Sequence, residues 1–132
     1  MTPAGLQKAI LCAEAGLDKK ATDLVVIDVA EFTSIAEYLI VCSGRSDRQV
    51  QAIAEGIAMA LKQNGTAATA VEGLTRGQWA LIDAADVIVH VFQPDIRGFY
   101  DLERLWQHAP RVELPEPLRT QAEEARARHA EA

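Results

Sequence analysis

Apolar residues recur at two spacings along the chain, and each spacing predicts a different kind of element. Apolar positions three and four apart within residues 6–17 and 50–61 are typical of a buried helix face. Thr2-Pro3 provides a start for the first helix, with Thr as the N-cap. Ser46 and Gln49 provide a capping box for the second helix. These two segments are therefore predicted to be helices.

Shorter apolar runs predict five strands. Only eight residues separate the runs at 24–29 and 38–42, too few for a helical crossover, so these strands should be antiparallel. Residues 66–71 form a weak third strand, which the intervening helix would connect to residues 38–42 by a parallel crossover. The runs at 79–82 and 87–92 flank a short polar break, and this pattern indicates a β-hairpin.

The chain after this hairpin predicts one long helix that begins at Asp95. Its apolar residues recur at helical spacing and would face the core: Phe99, Leu102 and Trp106. Arg97 and Glu103 lie six positions apart, nearly two turns of such a helix, so we do not expect them to pair.

The predicted order is α-β-β-α-β-β-β-α, an α/β (α+β) fold with helices packed against a mixed sheet. Residues 1–109 should form one domain, because this length suffices to bury a core. Residues 110–132 should form a polar tail, since three prolines interrupt it and no large apolar residue follows Leu118. A helix in this tail would be solvated and more frayed than packed.

Composition narrows the possible partners. The 132 residues carry a net charge of −6, and Lys and Arg form no run. Direct DNA binding is not expected, because it needs clustered basic side chains. A protein with a basic surface is a better partner. Cys12 and Cys42 should be small buried hydrophobes, not a disulfide or metal pair. Without a signal peptide or an apolar segment of roughly 20 residues, we expect a cytoplasmic protein that makes no membrane contact.

A turn ahead of the second helix raises the possibility of an enzyme. Backbone N–H groups of Ser43-Gly44-Arg45-Ser46 could bind a phosphate, as in nucleotidyl-transferring enzymes. Such an enzyme also needs two metal-binding acids on one strand face, whereas Asp83 and Asp86 are spaced across a turn. His90 near them is a poor metal site, because even catalytic zinc takes three protein ligands. We therefore expect no catalytic residue, no metal and no cofactor.

The hairpin has two chemically different faces. If an even number of residues separates the paired strands, one face collects a mixed set of side chains: Trp79, Leu81, Asp83, Ile88, His90 and Phe92. The other face is small and aliphatic and suits helix packing: Ala80, Ile82, Val87, Val89 and Val91. The mixed face has the composition of a recognition surface. The alternative is that Trp79 belongs to the core and His90 is a hydrogen-bonded polar residue at a strand edge.

The chain carries a set of residues in a specific order: Ser43-Gly44-Arg45-Ser46 with Arg48, Glu72-Gly73, Trp79, Asp83, residues 86–92, Arg97, Tyr100, Leu102-Glu103 and Trp106. The order and spacing of these residues resemble the ribosomal silencing factor family, the Iojap-related proteins. The resemblance covers roughly residues 6–107.

The resemblance implies a core related to nucleotidyltransferase folds and a translation repressor without catalytic activity. Such a protein would bind large-subunit ribosomal protein fourteen and sterically block the small subunit from joining when nutrients are limiting. It implies partner contacts led by Trp79, Asp83 and His90, followed by Leu81, Phe92 and Tyr100. Asp83 and Glu72 would then meet basic groups of the partner. The resemblance also implies a homodimer when the protein is free. A nucleotide-binding enzyme and a pure dimerisation module are the alternative functions.

Overall fold

The computed structural model describes residues 4–131, with side chains described for residues 4–127. The predicted N-cap at Thr2-Pro3 lies outside these residues. The elements in chain order are α1 (Ala4–Asp18), β1 (Thr22–Asp28), β2 (Tyr38–Ser43), α2 (Asp47–Gln63), β3 (Ala70–Glu72), β4 (Trp79–Asp83), β5 (Val87–Phe92), α3 (Pro94–Tyr100), a 3-10 helix (Leu102–Trp106) and α4 (Leu118–Glu131).

The five strands form one mixed sheet in the order β1-β2-β5-β4-β3. The pair β2 and β5 is parallel, and the other three neighbouring pairs are antiparallel. The predicted fold class and the antiparallel β1–β2 pair are therefore confirmed. Strand β3 runs parallel to β2, as predicted, but it lies at the far edge with β5 and β4 between them. It is also shorter than predicted, because residues 65–69 offer no large apolar side chain for burial.

Helices α1 and α2 cover one face of the sheet and enclose the main core. Five side chains of α2 are buried against the strands: Val50, Ile53, Ala54, Ile57 and Leu61. Ser46 caps this helix by accepting the Gln49 N–H at 3.1 Å. The side chain of Gln49 accepts the Arg45 N–H instead of the Ser46 N–H that the predicted capping box requires. Only half of that capping box is therefore present.

A second, smaller core lies on the opposite face of the sheet. It is built on a shared set of buried residues: Ile27, Val29, Leu39, Val41, Phe92 and Ala109. Ile96 from α3, and Leu102 and Trp106 from the 3-10 helix, pack on this set. Leu81 and Asp83 of β4 remain partly exposed on the same face. This face is thus only partly covered.

The prediction of one long helix after Pro94 is wrong, because the α-helix ends before Asp101. This residue adopts a left-handed conformation (φ 47°, ψ 48°) that ends α3, and the chain continues as a 3-10 helix. Phe99 consequently points outward with 80% of its surface exposed, instead of joining the core. The break also brings Arg97 and Glu103 together, with Nε and Oε1 2.8 Å apart. The expectation that these two residues do not pair is therefore also wrong.

The segment after residue 109 packs more closely than the sequence suggested. Val112 donates its N–H to Val26 at 2.8 Å, which adds the segment to the edge of β1. Leu114 and Leu118 are buried in the main core, and Ala125 of α4 is buried as well. The first half of α4 is therefore docked on α1 and β1, not solvated as expected.

Both cysteines are buried and free, which confirms the prediction of small buried hydrophobes. Burial raises the pKa of the Cys12 and Cys42 thiols to about 12, so both are neutral near pH 7. Within residues 4–131, no helix has both the length and the apolar character needed to cross a membrane.

Candidate partner-binding surface

The register of the hairpin determines which side chains share the partly covered face. Trp79 pairs with Phe92, Leu81 with His90 and Asp83 with Ile88. Four residues, 84–87, separate the last pair, so the even spacing is confirmed and all six side chains lie on one face. The Asp83 carboxylate accepts the Ala85 N–H at 3.0 Å and caps the turn.

Strand β3 extends this face by two more residues, Ala70 opposite Asp83 and Glu72 at the exposed edge. Glu72 pairs with Leu81, and directly opposed residues of an antiparallel pair point to the same side of the sheet. A row therefore runs across the sheet from buried Val41 of β2 through His90 and Leu81 to exposed Glu72. Burial decreases along this row towards the β3 edge, where the face is open to solvent.

Trp79 and His90 form a hydrogen-bonded pair within this face. The indole Nε1–H of Trp79 donates to Nδ1 of His90 at 3.0 Å. Burial lowers the pKa of His90 to about 4, so its ring is neutral near pH 7 and Nδ1 is free to accept. Only 7% of His90 is exposed. His90 is therefore hydrogen-bonded, as the alternative interpretation has it, but it lies on the central strand β5 and not at an edge, and little of its surface is open to a partner.

Phe92 lies deeper in the same face than Trp79. It is fully buried, and its ring lies 4.8 Å from the Trp79 ring and 5.9 Å from the His90 ring, measured between centroids. Tyr100 lies on the other side of the cluster, 4.9 Å from Trp79, and is 54% exposed. Phe99 contacts Tyr100 edge to face at 5.1 Å. Trp79 thus lies between the buried Phe92 and His90 rings and the exposed Tyr100 and Phe99 rings.

Sequence reasoning missed Phe99, because helical spacing assigned it to the core. Gly98 and Asp101 flank the Phe99-Tyr100 pair, and both are poor helix formers. These two residues were the available signal that the helix ends early. They were not decisive, since either is tolerated in a helix when packing compensates.

Arg97 fixes the segment that carries the exposed aromatic residues. Its guanidinium donates to the buried Ser43 hydroxyl at 2.9 Å and to the Glu103 carboxylate at 2.8 Å. The hydrogen bond from Arg97 is the main reason that the pKa of Glu103 lies below its usual range. Ser43, Arg97 and Glu103 therefore form one network that attaches α3 to the end of β2.

Asp83 and Asp86, considered above as metal-binding residues of an enzyme, form other hydrogen bonds in this structure. Asp83 caps the hairpin turn, and Asp86 accepts a hydrogen bond from Lys8 at 2.6 Å. Lys8 also donates to the Ala84 carbonyl at 3.0 Å, so Asp86 serves to attach α1 to the hairpin. Among the side chains of residues 4–127, no three His, Cys, Asp or Glu groups converge as a metal site requires.

Comparison with known proteins places the chain in a family. The family profile described as "Ribosomal silencing factor during starvation" matches residues 2–132. The chain belongs to this ribosomal silencing factor family. The matched range includes α4, so the match to the family profile covers nearly the whole sequence. It assigns the chain to translation regulation and to association with the ribosome.

Relatives of the family agree in sequence and in fold. The ribosomal silencing factor RsfS of Bacillus subtilis is 43% identical over 110 residues, which cover 82% of this chain and 93% of that protein. The chloroplastic protein Iojap of Zea mays is 34% identical over 112 residues, 83% of this chain and 48% of its own length. A crystal structure of a Chromobacterium violaceum protein superposes with a TM-score of 0.78 at 38% identity, covering 80% and 88% of the two chains.

Proposed function

We propose that this protein binds the large ribosomal subunit through ribosomal protein fourteen and sterically prevents the small subunit from joining. It would thereby lower translation in the cytoplasm when nutrients are limiting. The observation that supports this most is an aromatic and acidic surface, exposed or half-buried, on the partly covered sheet face. We name it the docking surface, and it consists of Glu72, Trp79, Leu81, Asp83, Phe99 and Tyr100.

The aromatic part of the docking surface suits a binding hot spot. Trp and Tyr are the residues that most often dominate the energy of protein interfaces. Trp79 is held by its hydrogen bond to His90 and by the Phe92 ring beneath it, so little conformational entropy is lost on binding. His90 and Phe92 therefore act by positioning Trp79, while Trp79, Leu81 and Tyr100 make the contact.

The acidic part of the docking surface selects a basic partner. Glu72 is exposed at the sheet edge, and Asp83 lies beside it on the neighbouring strand, paired with Ala70. Carboxylates at the rim of an interface form charge-assisted hydrogen bonds with Arg or Lys of the partner. The net charge of −6 adds long-range attraction towards a basic protein.

This mechanism requires no catalysis and no cofactor. A folded domain that covers roughly 800 Å² on its partner forms a stable complex and occupies space that the small subunit needs. We propose accordingly that the protein has no turnover and no nucleotide dependence. We further propose that the free protein pairs with a second copy, which would cover exposed apolar residues such as Phe99.

Co-sedimentation with isolated large and small subunits tests the proposal. The wild-type protein should sediment with the large subunit alone, and Trp79→Ala and Glu72→Arg should weaken this binding. Met59→Ala is the matched control, because Met59 is exposed but lies on α2, on the other side of the sheet. Equal binding by the wild type and both docking-surface variants would contradict the assignment of this surface. Binding to neither subunit would contradict the proposed function.

A further inference from the structure

Four basic side chains gather at one end of the sheet, although they are scattered in the sequence. Lys20 follows α1, Arg45 precedes α2, Arg48 lies in the first turn of α2 and Arg76 lies in the β3–β4 loop. All four residues are exposed. We name this group the basic corner. The sequence shows no basic run, because the four residues come from three separate turns that meet only in the folded chain.

Gln49 connects two of these turns. Its side-chain amide donates to the Lys20 carbonyl at 3.3 Å, and its side-chain oxygen accepts the Arg45 N–H at 2.6 Å. The turn after α1 and the turn before α2 are therefore fixed against each other. The backbones of Lys20 and Arg45 are consequently held close together, on either side of the Gln49 side chain.

The loop that carries Arg76 is fixed to the start of the same helix. Gln51 of α2 donates to the Leu74 carbonyl at 2.7 Å and to the Thr75 carbonyl at 3.3 Å. Gly77 has a φ of +64° and packs so tightly that a Cβ at this position would lie 2.6 Å from the Asp47 carbonyl oxygen. Glycine is therefore required at position 77, and this packing holds the backbone of Arg76 near the start of α2, where Arg48 lies.

The basic corner keeps its positive charge. Among the side chains that the structure describes, none of its four members forms an ion pair, whereas Lys8, Arg97 and Arg111 each do. The carboxylate of Asp47 also lies here and accepts the Arg48 backbone N–H at 2.8 Å, and its single negative charge offsets only part of the four positive charges. The N-terminus of α2 adds the positive end of its dipole. An electropositive corner thus stands out on an acidic chain.

The basic corner adjoins the docking surface. Arg76 precedes Trp79 by three residues, and Gln93 donates its side-chain amide to Gly77 at 2.9 Å and its N–H to Gln78 at 3.0 Å. The strand end that carries Trp79 is therefore firmly connected to the loop of Arg76. A partner covering Trp79 brings its neighbouring surface to the basic corner.

We infer that the basic corner binds the phosphate backbone of ribosomal RNA beside the protein contact of the docking surface. This inference rests on the proposed function, which brings the corner to the ribosome. Three of the four side chains are arginines, whose planar guanidinium binds phosphate through two parallel hydrogen bonds. Neutralising phosphates also releases condensed counterions, which supplies affinity without sequence readout.

Affinity measured over a salt series tests the inference with two separate probes. The probes are purified large subunits and purified ribosomal protein fourteen. The variant is the triple Arg45→Gln, Arg48→Gln and Arg76→Gln, and the control is Lys62→Gln at the opposite, exposed end of α2. Circular dichroism and thermal unfolding confirm that each variant is folded.

The triple variant should bind the large subunit at least about tenfold more weakly at low salt, because counterion release is lost. The slope of log affinity against log salt should decrease by about one for each phosphate contact removed. Its affinity for ribosomal protein fourteen should equal that of the wild type, and Lys62→Gln should match the wild type on both probes.

Three other outcomes would overturn the inference, and each is distinct. An unchanged slope and affinity for the large subunit would show that the corner makes no contact. An equal loss on both probes would show that it contacts the ribosomal protein and not RNA. Absence of wild-type binding to the large subunit would remove the proposed function and the inference together.

Discussion

The two faces of the sheet differ in chemistry and in how they are covered. On the α1–α2 face, the hairpin contributes small aliphatic side chains that are fully buried under two helices. On the opposite face, the same strands contribute Trp79, His90 and Asp83, covered only in part by α3 and the 3-10 helix. One pair of strands therefore serves stability with one face and, in the proposed function, recognition with the other.

The contrast shows how alternation separates two tasks. Adjacent residues of a strand point to opposite faces, so a substitution on one face leaves the packing of the other largely intact. The aliphatic face needs only close packing. The mixed face needs polar side chains held in fixed positions, and the Trp79–His90 hydrogen bond and the Arg97 network provide this.

The largest expected effect separates the two faces directly. Ile57→Ala removes a fully buried side chain beneath α2 and should lower the free energy of unfolding by about 2–5 kcal/mol. Under conditions in which this variant remains folded, its affinity for the large subunit should equal that of the wild type. Tyr100→Ala should have the opposite profile, with little change in stability and at least about tenfold weaker binding. Urea unfolding measures the free energy of unfolding, and titration with large subunits measures the affinity. If both variants changed both quantities alike, the two faces would not have separate roles.

The pH dependence of stability should come from the mixed face. The pKa of His90 is about 4 when folded and 6.5 in the unfolded chain, so the unfolded state binds more protons between these values. The free energy of unfolding should therefore be fully maintained above pH 6.5 and decrease by about 3 kcal/mol as the pH falls towards 4. Denaturant titrations at several pH values measure this decrease.

His90→Asn is the control, because its amide oxygen can still accept from Trp79 but does not titrate. It should flatten the stability curve between pH 4 and 6.5. A wild-type curve that is already flat in this range would show that His90 is not buried as described. Glu103, whose pKa is lowered, contributes a further loss only as the pH falls below its ordinary value of 4.5.

The smallest expected effect concerns the segment that carries Phe99 and Tyr100. Glu103→Gln weakens the charge-assisted hydrogen bond from Arg97 and should cost about 1 kcal/mol, a value reduced by partial exposure of the pair. Glu113→Gln on the exposed surface is the control and should leave stability unchanged. If Glu103→Gln also left stability unchanged, the network would not fix α3.

Much of this arrangement was predictable from local patterns. Alternation and an even hairpin loop were sufficient to place Trp79, Asp83 and His90 on one face, and helical spacing predicted α2. These features depend on neighbours in the sequence. The break at Asp101 was not predictable in this way, because Gly98 and Asp101 are only weak local signals and the bonds of Arg97 to Ser43 and Glu103 form only in the folded chain.

The roles of individual side chains depended on depth, which a sequence pattern does not supply. Phe92 and Tyr100 both carry an aromatic ring on the mixed face, yet Phe92 is fully buried and Tyr100 is half exposed. The difference arises from position, since β5 is central in the sheet whereas Tyr100 ends a surface helix. The basic corner was hidden for a similar reason, because its turns meet only in three dimensions.

Subunit joining, followed by light scattering, tests the central claim most directly. Large subunits saturated with the protein are mixed with small subunits, and the amount of joined ribosome is recorded. We predict that joining decreases in proportion to occupancy, that Trp79→Ala restores it, and that Met59→Ala behaves like the wild type. Full joining on large subunits that still carry the protein would contradict the steric mechanism.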